Sequence, residues 1–455
     1  MNETITAIST PPVTSAIGIV RISGPNTPQV VDKIFKPTYS ERLSTSPSRK
    51  MTIGTLFSRE DVPIDHCLAV FMKGPNTYTG EDMAEIQCHG STAILEETLK
   101  NCVKNGARLA LAGEFTKRAF LSGKLDLSAS EAVSDIISAK TLEVAQNAVG
   151  QLGGVVENKI TKISNDVVEL IAHFHALVDY PDEEIDPFTY ENSLKVLTNA
   201  TNELFSLAKS FEKGKIMRDG IDCAIIGKPN VGKSSILNAL SGKEKAIVTN
   251  IAGTTRDIIE EYIKVGPIAL KLSDTAGLRE TTDEVEKIGV ERAIENVANS
   301  KIVLAVFDGN QKLDCDDMLA ISKIEEKNCI AIINKSDLER NIDMQKITQT
   351  FAHVVEISAK NNVNMEKITE KILEIIGMQD ISYNGEIITN ARQAEAIERA
   401  GNRCKEALNA LQMGMTPDAV TMDAEGAMVE LSQITGKSVT EDVINKIFEN
   451  FCVGK

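Results

Sequence analysis

Gly227-Lys228-Pro229-Asn230-Val231-Gly232-Lys233-Ser234 follows a short apolar run and opens a helical stretch. This is the G-x-x-x-x-G-K-S spacing of a phosphate-binding loop, in the strand–loop–helix setting that the motif requires. Its glycines let backbone N–H groups turn toward phosphate oxygens, and the helix N-terminus adds its positive end. Lys233 is placed to bridge the β- and γ-phosphates, and Ser234, beside Ser235, to ligate Mg2+. Gly253-Thr254-Thr255-Arg256-Asp257 supplies a second hydroxyl for that ion. Asp274-Thr275-Ala276-Gly277 sits at a strand end, with Asp274 in the Walker-B position and Gly277 near the γ-phosphate. Asn334-Lys335-Ser336-Asp337 follows another apolar strand. A carboxylate there accepts two hydrogen bonds from guanine N1 and N2; adenine has no such donor pair, so Asp337 selects GTP. Ser358-Ala359-Lys360 follows the last strand and supports the base by backbone contacts. Each tetrapeptide alone reads as an ordinary turn; together, ordered and each at a strand end, they read as one nucleotide site.

Placing these loops side by side requires a largely parallel, doubly wound sheet. From Gly220 onward, short apolar strands (223–226, 268–272, 302–307, 329–333, 354–357) alternate with helical stretches, which is the pattern of that fold. Helical periodicity dominates on both sides. Val156, Ile160, Ile163, Val167, Leu170, Ile171 and Phe174 recur at steps of three and four, predicting a long amphipathic helix that stops at Tyr180-Pro181. Further helices are predicted over 191–213, 390–413 and from 423 to the end, the last opened by a Ser438/Glu441 capping box. Because helical segments flank the α/β segment, the latter reads as an insertion into a helical domain. The beginning of the chain is mixed α/β, with strands at 16–22, 66–72 and 83–88 and a helix over 91–105. The fold class is therefore multidomain α/β plus α. It divides into 1–121, 122–216 (helical, first part), 217–378 (the inserted P-loop domain) and 379–455 (helical, second part).

Of the 455 residues, 42% are hydrophobic and 25% charged, an ordinary globular balance. No apolar run reaches the ~18–20 residues that span a bilayer, and residues 1–9 show no secretory pattern, so a cytoplasmic location with no membrane contact is expected. The eight cysteines are scattered without a CxxC pair, which fits free thiols in a reducing compartment and argues against a structural zinc site. A net charge of −16 and the absence of tryptophan exclude a broadly basic, base-stacking surface. Contact with nucleic acid is therefore local or made through a partner.

The segment from Gly220 to Met378 resembles the GTPase domain of the translation-factor-related class. Two departures from Ras-like GTPases bear on mechanism. Leu278 stands where Ras carries its water-orienting Gln, so another group must hold the water, and 279–286 offers carboxylates in what is otherwise a solvated loop. Asn230 is equally a plain turn residue or a ligand for a monovalent cation that neutralises developing charge.

Over its whole length the chain resembles the tRNA-modification GTPase family called MnmE or TrmE. The match is carried by Thr10-Pro11-Pro12 with 18–24, by 74–82, by 113–120, by the GTPase elements with Leu278-Arg279-Glu280, and by the terminal Phe451-Cys452-Val453-Gly454-Lys455. The resemblance implies an N-terminal folate-binding domain that makes the protein a homodimer. It implies a heterotetramer with the flavoprotein MnmG, which carries most of the tRNA contact. It also implies installation of an aminomethyl or carboxymethylaminomethyl group at C5 of the wobble uridine (position 34) of certain tRNAs. Implied cofactors are Mg2+, K+ and a 5-formyl-tetrahydrofolate-type folate. Residue by residue, Ser234 and Thr255 match the Mg2+ ligands, and Asn230, Thr249, Ile251 and Thr254 match the K+ site. Thr249-Asn250-Ile251-Ala252-Gly253-Thr254-Thr255 also lines the nucleotide. Glu286 matches the carboxylate that orients the attacking water. Arg21, Glu85, Lys124 and Lys455 match the folate contacts, the cations suiting a glutamate tail and Glu85 the pterin N–H groups. Val13-Thr14-Ser15-Ala16 and His89-Gly90-Ser91 depart from the family's glycine-richer pattern. Cys452 has two readings, a reactive thiol near the one-carbon site or a buried apolar cysteine, and the second is preferred. The competing function is a ribosome-assembly GTPase acting as a binding switch, although such proteins usually carry a basic RNA-binding module.

Overall fold

The computed structural model describes residues 3–179, 190–241, 261–272, 300–322, 324, 328–379, 381–436, 438–449 and 451–454. The chain divides into two compact units. One comprises Met1–Ser134, Leu152–Thr201 and Arg399–Lys455; the other comprises Asp135–Gln151 and Asn202–Glu398.

The first unit holds a seven-stranded sheet in the order β3-β4-β5-β6-β2-β1-β7. Its strands are β1 (Thr4–Ile8), β2 (Ser15–Ser23), β3 (Phe35–Pro37), β4 (Thr52–Phe57), β5 (Pro63–Met72), β6 (Met83–Gly90) and β7 (Ala107–Leu109). All neighbours run antiparallel except β1 and β7. Strand periodicity of two sorts the side chains. Val20 and Ile22 of β2 and Ala84, Ile86 and Cys88 of β6 turn to one face and pack with Val30, Val31 and Ile34 of helix α1 (Thr27–Ile34) and Leu95 and Cys102 of α2 (Thr92–Lys104). Arg21 and Glu85, between them in sequence, belong to the opposite face. The sequence reading finds β2, β5 and β6 within a few residues and misses β1, β3, β4 and β7, which lack an unbroken apolar run long enough to register. At Gly90 an added Cβ would lie 2.2 Å from the Ser15 hydroxyl, so the glycine is fixed by strand contact. Ser91 serves as the N-cap residue of α2, a position that suits a small polar residue.

The same unit contains α3 (Glu114–Leu121), most of α4 (Leu127–Ser138), and α6 (Val155–Asp179), which packs against α13 (Pro417–Thr435). Buried Val156, Ile160, Ile163, Val167, Leu170 and Phe174 form the predicted stripe of α6; the proposed stop at Tyr180-Pro181 lies outside the described residues. The last helix, α14 (Glu441–Phe448), differs from expectation. Its N-cap residue is Thr440, with no side-chain capping bond, and the Ser438 hydroxyl pairs with that of Ser432. The capping box therefore does not form: Ser438 lies two positions too early to reach the helix N–H groups.

The second unit holds a six-stranded sheet in the order β13-β12-β11-β8-β10-β9. It comprises β8 (Ile221–Ile226), β9 (Glu261–Val265), β10 (Ile268–Leu272), β11 (Ile302–Asp308), β12 (Cys329–Asn334) and β13 (His353–Glu356). Only the β9–β10 pair is antiparallel. Every residue of β11 and β12 is buried, as expected for parallel strands covered on both faces. Ile302, Leu304, Val306, Ile330 and Ile332 enter one core cluster, and Val303, Ala305, Phe307, Ala331 and Ile333 enter another. Around the sheet lie α8 (Lys233–Ser241), α9 (Cys315–Ser322), α10 (Met344–Thr350) and α11 (Met365–Ile375). The unit also takes most of α5 (Leu142–Leu152), the later part of α7 (Tyr190–Asp219), and the first turns of α12 (Ala391–Gln412). Asn147 of α5 donates to the Ile387 carbonyl at 2.9 Å, tying this helix to the segment before α12. No helix among the described residues is long and apolar enough to cross a membrane.

Candidate functional site

The phosphate loop joins β8 to α8 and cannot be built without its glycines. Gly227 has φ +146° and a Cβ there would meet the Val306 carbonyl at 2.3 Å. Gly232 has φ +102° and a Cβ would meet Asn334 Nδ2 at 2.2 Å. Both conformations suit only glycine. Asn230 also adopts a left-handed conformation, φ 62°, which asparagine tolerates better than most residues. Lys233 donates through Nζ to the carbonyls of Gly227 (2.6 Å) and Lys228 (2.8 Å), and burial lowers its pKa. Val231 is buried in the sheet core, while Ser234 and Ser235 stand exposed in the first turn of α8.

The loops 334–337 and 358–360 meet this loop through Asn334. Its Nδ2 donates to the Val231 carbonyl (2.8 Å), and its Oδ1 accepts from the Ala359 N–H (3.0 Å). One buried amide thus locks three sequence motifs together. The Ser358 hydroxyl, buried, donates to Asp337 Oδ1 at 2.6 Å. That hydrogen bond holds the Asp337 carboxyl below its ordinary range, keeping an exposed acceptor ionised. Lys360 is exposed beside it. Lys335, at φ 65°, anchors its ammonium on Asp308 Oδ2 (2.6 Å).

Sequence reasoning missed Asp308, although a carboxylate closing a buried parallel strand signals a partner. It also missed Lys228, which pairs with Asp314 and Asp317, each at 2.7 Å, and so fixes the loop against the start of α9. Thr249, Asn250, Ile251, Ala252, Gly253, Thr254, Thr255, Asp274, Thr275, Ala276, Gly277 and Glu286 lie outside the described residues.

A second constellation stands in the first unit. Arg21 and Glu85 are direct cross-strand partners on β2 and β6, joined at 2.8 Å and both largely buried. Expected to serve opposite parts of a ligand, they are bonded to each other. The Arg21 guanidinium lies over the rings of Tyr78 (6.0 Å) and Phe115 (5.6 Å) and donates to the Gly454 carbonyl at 3.1 Å. That carbonyl also accepts from Ser9 Oγ (3.1 Å), and Val453 bridges to Ala112. Gly454, φ +94°, is forced: a Cβ would lie 2.6 Å from the Ile8 carbonyl. The chain terminus is therefore laid against β1, although Lys455 itself lies outside the described residues. Cys452 is exposed, which corrects the expectation of a buried apolar thiol. The tail holds it by backbone bonds, its carbonyl accepting from Gly113 N–H at 3.3 Å. Lys124 is exposed, its Cε 3.8 Å from where a Cβ on Gly80 would lie.

The loop 74–82 that carries Tyr78 is held by a charged network. Buried Arg118 bonds Glu81 and Glu114, both at 2.9 Å, and Ser23 bonds Glu81 at 2.8 Å. Arg108 adds a bond to Glu114 at 2.6 Å. Burial alone would raise the Glu114 carboxyl, but hydrogen bonds from Arg108, the Leu111 N–H and Arg118 outweigh it and hold the pKa at about 2.

Comparison with known proteins covers the chain from end to end. Residues 4–124 match the family model "GTP-binding protein TrmE N-terminus", and 127–452 match "MnmE helical domain". A tRNA modification GTPase MnmE of Clostridioides difficile is 40% identical over 461 residues, covering all of both chains. That of Thermoanaerobacter pseudethanolicus is 42% identical over 457 residues, covering 100% of this chain and 99% of its own. A crystal structure of Aquifex aeolicus Era bound to GDP and AlF4− is 24% identical, covering 40% of this chain and 66% of its own, with a TM-score of 0.28. The chain belongs to the MnmE (TrmE) family of tRNA modification GTPases.

Proposed function

We propose that this protein hydrolyses GTP to drive modification of the wobble uridine of certain tRNAs, adding an aminomethyl or carboxymethylaminomethyl group at C5 together with the flavoprotein MnmG. The observation that carries the reading is the hydrogen-bonded loop cluster, with the Asp337 carboxylate held by Ser358 and Asn334 joining its loop to the phosphate loop, in a chain of this family. Lys233 leaves its loop carbonyls to hold the β- and γ-phosphates. Ser234, exposed beside it, and Thr255 fit an oxygen-loving Mg2+. Asn230, exposed and in a left-handed conformation, is assigned with Thr249, Ile251 and Thr254 to K+. Glu286 is assigned to orient the attacking water, since Leu278 cannot.

In the first unit, Arg21 beside the Tyr78 and Phe115 rings and bonded to Glu85 suits a flat, polar heterocycle with an anionic tail, which is the chemistry of a one-carbon folate. Lys124 and Lys455 are assigned to the tail. The organisation we infer is 1–121 for folate binding and homodimerisation, 122–216 and 379–455 for the helical domain, and 217–378 for the GTPase domain. The net charge of −16 supports tRNA contact made largely through the partner; the location we infer is the cytoplasm.

The test is mass spectrometry of tRNA nucleosides from cells with and without the gene. Loss of C5-aminomethyl-type uridines is the expected result. An unchanged nucleoside profile would overturn the reading and direct attention to ribosome-assembly intermediates.

A further inference from the structure

Cys67 and Cys88, scattered in sequence, meet in the fold. The β5–β6 register pairs Leu68 with Gln87, so Cys67 stands directly opposite Cys88. Both sulfurs turn to the α1/α2 face, where the residues are only 6% and 1% exposed. Asp65, two residues before Cys67, shares that face by strand periodicity, and its side chain is 6% exposed. The two sulfurs and an Asp65 oxygen all lie within 4.8 Å of one another.

A buried thiol in an apolar core is ordinary; a buried carboxylate beside two of them is not. His89 accounts for only part of the acceptor capacity of Asp65. Its backbone N–H donates to Oδ2 and its Nδ1 lies against Oδ1, each at 2.8 Å. A carboxylate has about four lone-pair sites, so Asp65 retains acceptor capacity beyond these two contacts, with one oxygen within 4.8 Å of both sulfurs. A carboxylate or imidazole tied to a hydrogen-bonding neighbour is the usual support behind a metal ligand. The exposed His89 ring marks the solvent end of the cluster.

We propose that Asp65, Cys67 and Cys88 form a binding site for a borderline-soft divalent cation, zinc by preference, that clamps β5 to β6. Zinc binds thiolate at ~2.3 Å and carboxylate at ~2.0–2.2 Å, so a cluster of this size closes on the ion with small side-chain shifts. Two sulfur ligands exclude Mg2+ and Ca2+ as the preferred occupant. Metal entry releases the thiol protons to solvent and involves no electron transfer.

The test uses the full chain, stripped with a chelator and titrated with Co2+ and then Zn2+. The expected result is about one equivalent of Co2+ with a thiolate-to-metal charge-transfer band, displaced by Zn2+, and a thermal midpoint raised by Zn2+. The band is lost in the double variant Cys67→Ser/Cys88→Ser and retained in Cys315→Ser/Cys452→Ser, which removes the exposed thiols. Asp65→Asn, which spares the sulfurs, weakens Co2+ binding about tenfold or more. Circular dichroism and resistance of the first unit to limited proteolysis check that each variant is folded there. Absence of a thiolate band in the folded wild type, or a band that survives in a folded Cys67→Ser/Cys88→Ser variant, would overturn the proposal.

Discussion

The proposed phosphate-and-base site is built from loops that leave the C-terminal ends of parallel strands, where open α/β sheets usually bind ligands. Arg21 and Glu85 instead stand in mid-strand on one face of an antiparallel sheet. In the first case the chemistry lies in the backbone. Gly227 and Gly232 allow close approach, the helix start offers N–H groups, and Asn334 and Ser358 lock the loops in advance. In the second case the chemistry lies in side chains drawn from distant parts of the chain, with the terminus joined on through Gly454. A backbone-built site has little tolerance for added atoms at its glycines, whereas a side-chain site depends on which strands and tails meet.

The largest expected effect follows from Gly232→Ala. The added Cβ collides with Asn334 Nδ2, and the φ of +102° strains any side chain. GTP affinity, measured with a fluorescent analogue, is expected to fall by at least ~100-fold, about 3 kcal/mol. Binding within a few-fold of wild type would show that the loop is not as tightly framed as described.

Gly454→Ala sharpens the comparison from the other side. Its Cβ is driven into the Ile8 carbonyl, so the tail must lift from β1 and release Arg21. Folate affinity by calorimetry is expected to drop about tenfold, or ~1.4 kcal/mol, with nucleotide affinity unchanged. Unaltered folate binding would remove the tail from the site.

Ser358→Ala removes a single preorganising bond from Asp337. A loss of about 1 kcal/mol, roughly fivefold in GTP affinity, is expected, because one hydrogen bond to a solvent-exposed carboxylate is lost. An equal loss of ATP binding would mean that the effect is not on base recognition.

The smallest effect concerns stability in acid. The folded Glu114 carboxyl titrates at about 2 against an ordinary 4.5. A depressed carboxyl stabilises fully above the unfolded value, so its contribution is complete above about pH 4.5 and is lost as pH falls toward about 2. Glu114→Gln should therefore lower the thermal midpoint at neutral pH and flatten its decline across that window. A variant whose acid profile overlays the wild type would remove Glu114 from the account.

The comparison also explains what was legible in the sequence. Contiguous motifs at strand ends reveal Lys233, Asn334, Asp337 and Ser358, because a phosphate loop and a base loop each need a fixed short spacing. All-apolar runs reveal β11 and β12. The pairing of Arg21 with Glu85 is a matter of register between strands far apart in sequence, and only family resemblance pointed to those two residues. Register also brings Cys67 to Cys88, and no local spacing carries that information. Asp308 and Gly454 act through contacts with residues far along the chain, so their roles emerge only from the fold. The misplaced capping box at Ser438 shows the opposite hazard: a local motif is matched, yet the helix begins later and the serine pairs with Ser432.

The most direct test of the central claim, that this fold is run by a guanine nucleotide read by Asp337, is the nucleotide preference of Asp337→Asn. Guanine offers two N–H donors to a carboxylate, whereas xanthine replaces one with a carbonyl that an amide N–H can satisfy. GTP hydrolysis by this variant is expected to collapse at micromolar nucleotide, and xanthosine triphosphate to restore it. Undiminished GTP hydrolysis by Asp337→Asn, with no gain for xanthosine triphosphate, would contradict the claim.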